Sequence, residues 1–97
     1  MPIDFDSEIA EIGGKLRQVE GYLDCEKIIV RNIIKQLVNG KNDENIIVYL
    51  KKLHTWFNKK IATNQHNADC TNYRYAAGFV DILLRMPQWK SWTSTEM

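Results

Sequence analysis

Apolar residues recur along the first third of the chain at spacings of four and three. Phe5, Ile9, Ile12, Leu16, Val19, Leu23, Glu26, Val30, Ile33 and Leu37 follow one another in this rhythm, and all but Glu26 are apolar. An α-helix turns once in 3.6 residues, so these spacings place the side chains along one face. Sustained over several turns, the same pattern makes the seam of a coiled coil. Asp6 or Ser7 can cap the start, because a side-chain oxygen there accepts from the free backbone N–H groups of the first turn. Asn39-Gly40 supplies the stop, since both residues tolerate the left-handed conformation that ends helices.

An unbroken helix over 5–37 would be about 50 Å long. A compact chain of 97 residues has a radius of gyration of only about 12–13 Å. Gly13, Gly14 and Gly21 each weaken such a helix by about 1 kcal/mol relative to alanine. Either the chain bends near Gly21-Tyr22, or the helix stays long and its stripe pairs with another chain. The stripe keeps its phase across the glycines, which favours one long or gently kinked helix over 5–38. On that reading Leu16, Val19 and Leu23 face a partner. Glu26 is the one charged member of the stripe, and it should mark a bend, an exposed stretch or a paired polar contact.

The next helix starts at Asn42 or Asp43 and is expected over 43–61. Ile46, Leu50, Leu53, Phe57 and Ile61 form its apolar stripe, flanked by Ile47 and His54. Lys59 and Lys60 fall in its last turn, where positive charge suits the helix dipole. After the polar stretch Thr63 to Asn67, a further helix is expected over 65–86. Its stripe is Cys70, Tyr73, Ala77, Val80 and Leu84, with Ala76 and Leu83 beside it. Pro87 cannot continue it. The tail, 87–97, carries Trp89 and Trp92 three residues apart. They either dock on the chain's own core or serve as binding anchors, a role in which tryptophan is enriched.

No stretch alternates apolar and polar residues between turn signals, so strands are not expected. The pattern predicts a single all-α domain over 1–97. It is a small bundle of three to four helices, with a long or kinked N-terminal helix and a helical hairpin.

Composition narrows the class. Apolar residues at 44% and charged residues at 26% suit a globular chain. The longest apolar runs, such as Ile28-Ile29-Val30, fall far short of the roughly 20 residues that span a bilayer. The start MPIDFDSEIAEIGG is acidic and lacks the basic-then-apolar pattern of a secretory leader. Two cysteines, Cys25 and Cys70, make no disulfide framework. A cytoplasmic protein with reduced thiols and no membrane partner is expected.

Charge is segregated within a net +1. Residues 1–26 hold seven acids against Lys15 and Arg17, for −5. Residues 27–60 hold eight bases against Asp43 and Glu44, for +6. Such asymmetry steers partners, or lets helices of one chain attract each other.

Catalytic chemistry finds little footing. His54, His66, Cys25 and Cys70 are the possible soft metal ligands, but only His66 and Cys70 share helical spacing, and a site needs three or four converging groups. A nucleophilic Cys70 activated by His66 is set against the position of Cys70 on an apolar stripe, where a thiol behaves as a small hydrophobe. No phosphate-binding glycine motif is present. Neither a cofactor nor a metal is expected, and the chain reads as non-enzymatic.

A basic-aromatic run is more suggestive. Lys51, Lys52, Lys59 and Lys60 interleave with Tyr49, Trp56 and Phe57. Such groups can neutralise phosphates and stack on bases. Lys51, Lys52, Trp56, Lys59 and Lys60 therefore form a candidate nucleic-acid face. The alternative is a solvated lysine face with the aromatics packed inward.

In Tyr73-Arg-Tyr-Ala-Ala-Gly-Phe-Val-Asp-Ile-Leu-Leu-Arg-Met-Pro-Gln-Trp, the small residues Ala76, Ala77 and Gly78 would let another helix approach closely. Asp81 and Arg85 make a favourable i,i+4 pair. These seventeen residues, 73–89, resemble the C-terminal helices of small phage and prophage proteins, with a Tyr-Arg pair ahead of a glycine and a Leu-x-Met-Pro ending. The resemblance implies a virion-assembly or host-interaction protein and carries over no catalytic residue. The leading expectation is a helical protein–protein interaction or assembly protein, acting as a homo-oligomer or on another protein through Trp89, Trp92, Leu16, Val19 and Leu23. The alternative is a small regulator that contacts nucleic acid through the Lys51–Lys60 face.

Overall fold

The computed structural model describes residues 5–63 and 69–91, with backbone alone at 69, 90 and 91. Four α-helices follow in order: α1 (Asp6–Leu16), α2 (Tyr22–Val38), α3 (Asp43–Thr63) and α4 (Asp69–Arg85). A short 3-10 turn, Gln88–Ser91, closes the described chain. There is no strand among the described residues, so the architecture is the expected all-α bundle. Consecutive helices α3 and α4 form the hairpin and share the most extensive contact, while α2 also packs on α4.

The long N-terminal helix does not form. The chain leaves α1 at Leu16 and starts α2 at Tyr22, with Gly21 at φ 89° between them. A left-handed φ is cheap only for glycine. The break has a tertiary cause as well. The Asn72 side-chain amide of α4 donates to the backbone carbonyls of Leu16 at 2.7 Å and Val19 at 2.9 Å. These carbonyls, otherwise without partners at a helix end, are held by a residue more than fifty positions downstream. The bundle is accordingly compact, with a radius of gyration of 13.1 Å and a longest dimension of 42 Å.

The apolar phase slips at this turn. Phe5, Ile9, Ile12 and Leu16 are buried as the stripe requires. Beyond the turn the buried face is Cys25, Ile29, Asn32, Ile33 and Gln36. Ile33 alone belongs to both patterns in α2. Leu23 is 70% exposed, and Glu26, Val30 and Leu37 are half-buried. Glu26 sits near the Tyr22 phenol, whose pKa is raised by burial first and by that carboxylate second.

The helix ends differ in how they are made. At the start of α1, Phe5 is the N-cap and no side chain caps it, contrary to the role expected of Asp6 or Ser7. At the end of α2, Lys41 N–H donates to Gln36 O and Gly40 N–H to Leu37 O, both at 3.0 Å. With Gly40 at φ 93°, this is the Schellman arrangement that Asn39-Gly40 foreshadows. At the start of α3, Asn42 and Asn45 each accept the other's backbone N–H, at 2.9 and 3.0 Å, a reciprocal cap.

The core joins Phe5, Ile9, Ile12 and Leu16 of the first segment to Ile29 and Ile33, to Ile46, Leu50, Leu53 and Phe57, and to Tyr73, Val80 and Leu83. Each such side chain contributes roughly 1.5–3 kcal/mol by leaving water. A polar thread crosses this core. The Tyr49 hydroxyl donates to Asn32 Oδ1. The Asn32 amide donates to Glu8 Oε2 at 3.2 Å, and Lys35 Nζ pairs with Glu8 at 3.5 Å. This thread ties α1, α2 and α3 together.

Gly78 has no close neighbour, since a Cβ there would meet nothing within 4 Å. The close helix approach expected at that residue does not occur among the described residues. Gly13 is the glycine that permits an approach, and a Cβ built on it would overlap the Trp56 ring.

Candidate interaction groove

Helix α1 leans on α2 and α4, and α3 packs on α4, so the seam between α1 and α3 stays open. A groove of about 540 Å³ lies there, lined by Asp6 and Ile9 of α1 and by Val48, Lys51, Lys52, Thr55, Trp56 and Lys59 of α3. The α3 positions fall at i, i+3, i+4, i+7, i+8 and i+11, which places them along one face of that helix. The opposite face carries Ile46, Leu50, Leu53 and Phe57 into the core.

Trp56 bridges the two walls. Its indole spans the seam to reach Gly13 of α1, where the missing Cβ makes room. Phe57 and Tyr73 meet the ring edge-on, each with centroids 5.6 Å away. The Lys60 ammonium lies over the ring at 5.2 Å, a cation–π contact. The indole is thus held on several sides and only half-exposed.

Three lysines rim the groove. Lys51, Lys52 and Lys59 are exposed, and none has a carboxylate partner among the described residues. Asp6 is the only acid of the lining among the described residues. The apolar surface between these charges comes from Ile9, Trp56 and Val48, the last 47% exposed. The result is a shallow trough with a partly apolar floor and a positive rim.

The structure sorts the candidate residues of the sequence. Lys51, Lys52, Trp56 and Lys59 converge on the groove, while Lys60 reaches it only through the Trp56 ring. Tyr49 and Phe57, interleaved with them in sequence, are turned wholly into the core. Leu16 is fully buried, so it offers no surface to a partner; its place in the stripe is spent on the chain's own core. Val19 is half-buried against that core. Trp89 docks internally at 1% exposure and is likewise unavailable as an anchor. Trp92 lies outside the described residues. Leu23 alone of the proposed partner-facing leucines stands in solvent.

Asp6, Ile9, Val48 and Thr55 also line the groove, a role that the sequence pattern assigns to none of them. Val48 carried the one usable signal, an apolar residue off the buried stripe of its helix. Asp6 reads locally as a cap, and only the packing of α1 beside α3 brings it to the rim.

The remaining chemistry-bearing groups do not assemble. Cys25 is buried, and burial, aided by Asp24, pushes its thiol above the ordinary range. A thiol held protonated is a poor nucleophile. The Cys70 thiol is buried and points to the Ile61 carbonyl at 3.8 Å. His66 lies outside the described residues. His54 Nδ1 lies 3.2 Å from the Asn58 amide. No group of three or more His, Cys, Asp or Glu side chains that could hold a metal occurs among the described residues. No helix among them is long and apolar enough to cross a membrane.

Compared with known proteins, the chain matches no family model, no curated protein and no solved structure.

Proposed function

We propose that this chain is a non-enzymatic helical interaction protein that holds an acidic, apolar-bearing segment of a protein partner in the α1–α3 groove. One observation carries the reading: three exposed lysines, without carboxylate partners among the described residues, rim a trough whose floor is Ile9, Val48 and Trp56. Amphipathic helices dock in grooves of this kind, with apolar side chains on the floor and charges matched at the rim. Cytoplasmic action suits the two free thiols. The likeness of residues 73–89 to small phage and prophage helices suits an assembly or host-interaction role.

Nucleic acid fits the groove less well. Stacking needs an open aromatic face. Lys60 lies over the Trp56 ring, Phe57 and Tyr73 pack against it at steep angles, and Gly13 lies at its far end. Asp6 on the rim would also repel phosphate.

Titration followed by amide and indole NMR tests both readings. One probe is a synthetic acidic amphipathic helix with leucines flanked by glutamates. The other is a single-stranded oligonucleotide. The peptide is expected to shift the Trp56 indole and the amides of residues 48–59, and the double substitution Lys51→Glu, Lys52→Glu to abolish those shifts. Shifts produced by the oligonucleotide and not by the peptide would transfer the groove to nucleic acid. Silence with both would remove the groove as a site.

A further inference from the structure

The surface that best complements the groove is on the same chain. Leu23 is 70% exposed, the most exposed large apolar side chain among the described residues. It stands at the start of α2 between Glu20 and Asp24, both exposed. Neither acid has an ion-pair partner among the described residues. Glu20 precedes the Gly21 turn and Asp24 follows Leu23 in the first turn of α2, so the exposed leucine has an acid on either side of it in sequence; Arg17 and Lys27 are the nearest basic residues in sequence. None of the three lines the groove of its own chain.

We propose that the groove takes a second copy of this chain. Leu23 of one copy sits on Val48 and Trp56 of the next, and Glu20 and Asp24 meet Lys51, Lys52 and Lys59. The inference rests on the groove reading above and names its occupant. Three features agree. An exposed leucine is matched to a partly apolar floor, two exposed acids are matched to exposed lysines, neither set paired among the described residues, and the chain's charge is divided in the same sense, −5 over residues 1–26 and +6 over 27–60. Knob and groove are different patches, so the contact is heterologous. It closes into a reciprocal pair or ring where the rotation permits, and otherwise extends as a filament. This places homo-oligomerisation on the end of α2 that the broken helix exposes, and not on the buried Leu16 stripe.

Charge exchange tests the pairing. One variant carries Lys51→Glu and Lys52→Glu, so its groove and its knob are both acidic. The other carries Glu20→Lys and Asp24→Lys, so both are basic. All four positions are exposed, and circular dichroism checks that each variant keeps its helices. Analytical ultracentrifugation of the wild type should show association that weakens with added salt. Each variant alone should associate on the order of tenfold more weakly or less, because attraction at the rim becomes repulsion. An equimolar mixture of the two should recover association, because each groove then meets a knob of opposite charge. Variants that associate like the wild type, or a mixture that fails to recover, would overturn the proposal. A wild-type chain that stays monomeric at millimolar concentration would also overturn it. The peptide titration is read separately. A monomeric chain whose groove still takes the acidic peptide loses the second copy and keeps the interaction reading. A chain that self-associates, yet whose groove ignores the peptide even below the concentration at which copies compete for it, loses the acidic-peptide reading and keeps the second copy only if the charge-exchanged mixture recovers association.

Discussion

Gly13 and Gly14 are neighbours in one helix, yet alanine should act oppositely at the two. At Gly14 a Cβ meets nothing within 4 Å, whereas at Gly13 it overlaps the Trp56 ring. Neither glycine has a positive φ, so both gain the helix propensity of alanine, about 1 kcal/mol. Gly14→Ala should therefore stabilise by about that amount. Gly13→Ala has the same gain opposed by overpacking of about 1–3 kcal/mol. The Trp56 ring cannot yield freely, because Phe57 and Tyr73 pack against it. The propensity gain cancels in the difference between the two variants, which isolates the contact with Trp56 at about 1–3 kcal/mol. Urea unfolding followed by circular dichroism measures it, and in a domain of this size each kcal/mol also moves Tm by roughly 4–8 °C. The same pair of substitutions in a Trp56→Ala background should show no difference. Equal stability of the two variants in the wild-type background would refute the reasoning, as would a gap that survives loss of the indole. Because Trp56 lines the groove, Gly13→Ala should also weaken binding of the acidic peptide, and Gly14→Ala should leave it unchanged.

Asn72→Ala should destabilise by about 1–3 kcal/mol, because the carbonyls of Leu16 and Val19 lose a part-buried donor; faster amide exchange at the end of α1 would localise the effect. Tyr49→Phe should cost a similar amount, about 1–3 kcal/mol, by leaving Asn32 Oδ1 without its donor. Tyr49 also sets a pH dependence. Burial first, then Glu8 and Glu11, raises its phenol above the ordinary 10.0. The native state keeps a proton that the unfolded chain releases, so this contribution is fully present below pH 10.0 and is lost as pH rises above it. Denaturant midpoints measured between pH 8 and 11 should fall toward the alkaline end and fall less steeply in Tyr49→Phe, with Cys25, also raised, supplying part of the remaining slope. Gly78→Ala should stabilise by about 1 kcal/mol, since none of the described residues meets a Cβ there; a loss of stability in urea unfolding would refute this.

Much of this protein follows from local rules. The helical class, the Asn39-Gly40 stop, the Asn42 cap ahead of α3 and the apolar stripes of α3 and α4 all rest on interactions within a few residues. Periodicity and capping chemistry report such interactions directly. The basic-aromatic run on α3 was legible for the same reason, since one helix face carries Lys51, Lys52, Trp56 and Lys59. Three outcomes needed the tertiary structure. Asn72 reaches across from α4 to end α1, and no pattern near Leu16 announces a donor from so far along the chain. That break shifts the apolar phase, so Leu23 leaves the stripe for solvent while Cys25 and Ile29 replace it in the core. The groove itself exists only because α1, once shortened, lies beside α3 without closing on it. Spacing along a chain records which residues share a face of one helix. Where a helix ends, and which face meets which neighbour, is decided by packing and hydrogen bonds between segments far apart in sequence, and those contacts set the surface this protein presents.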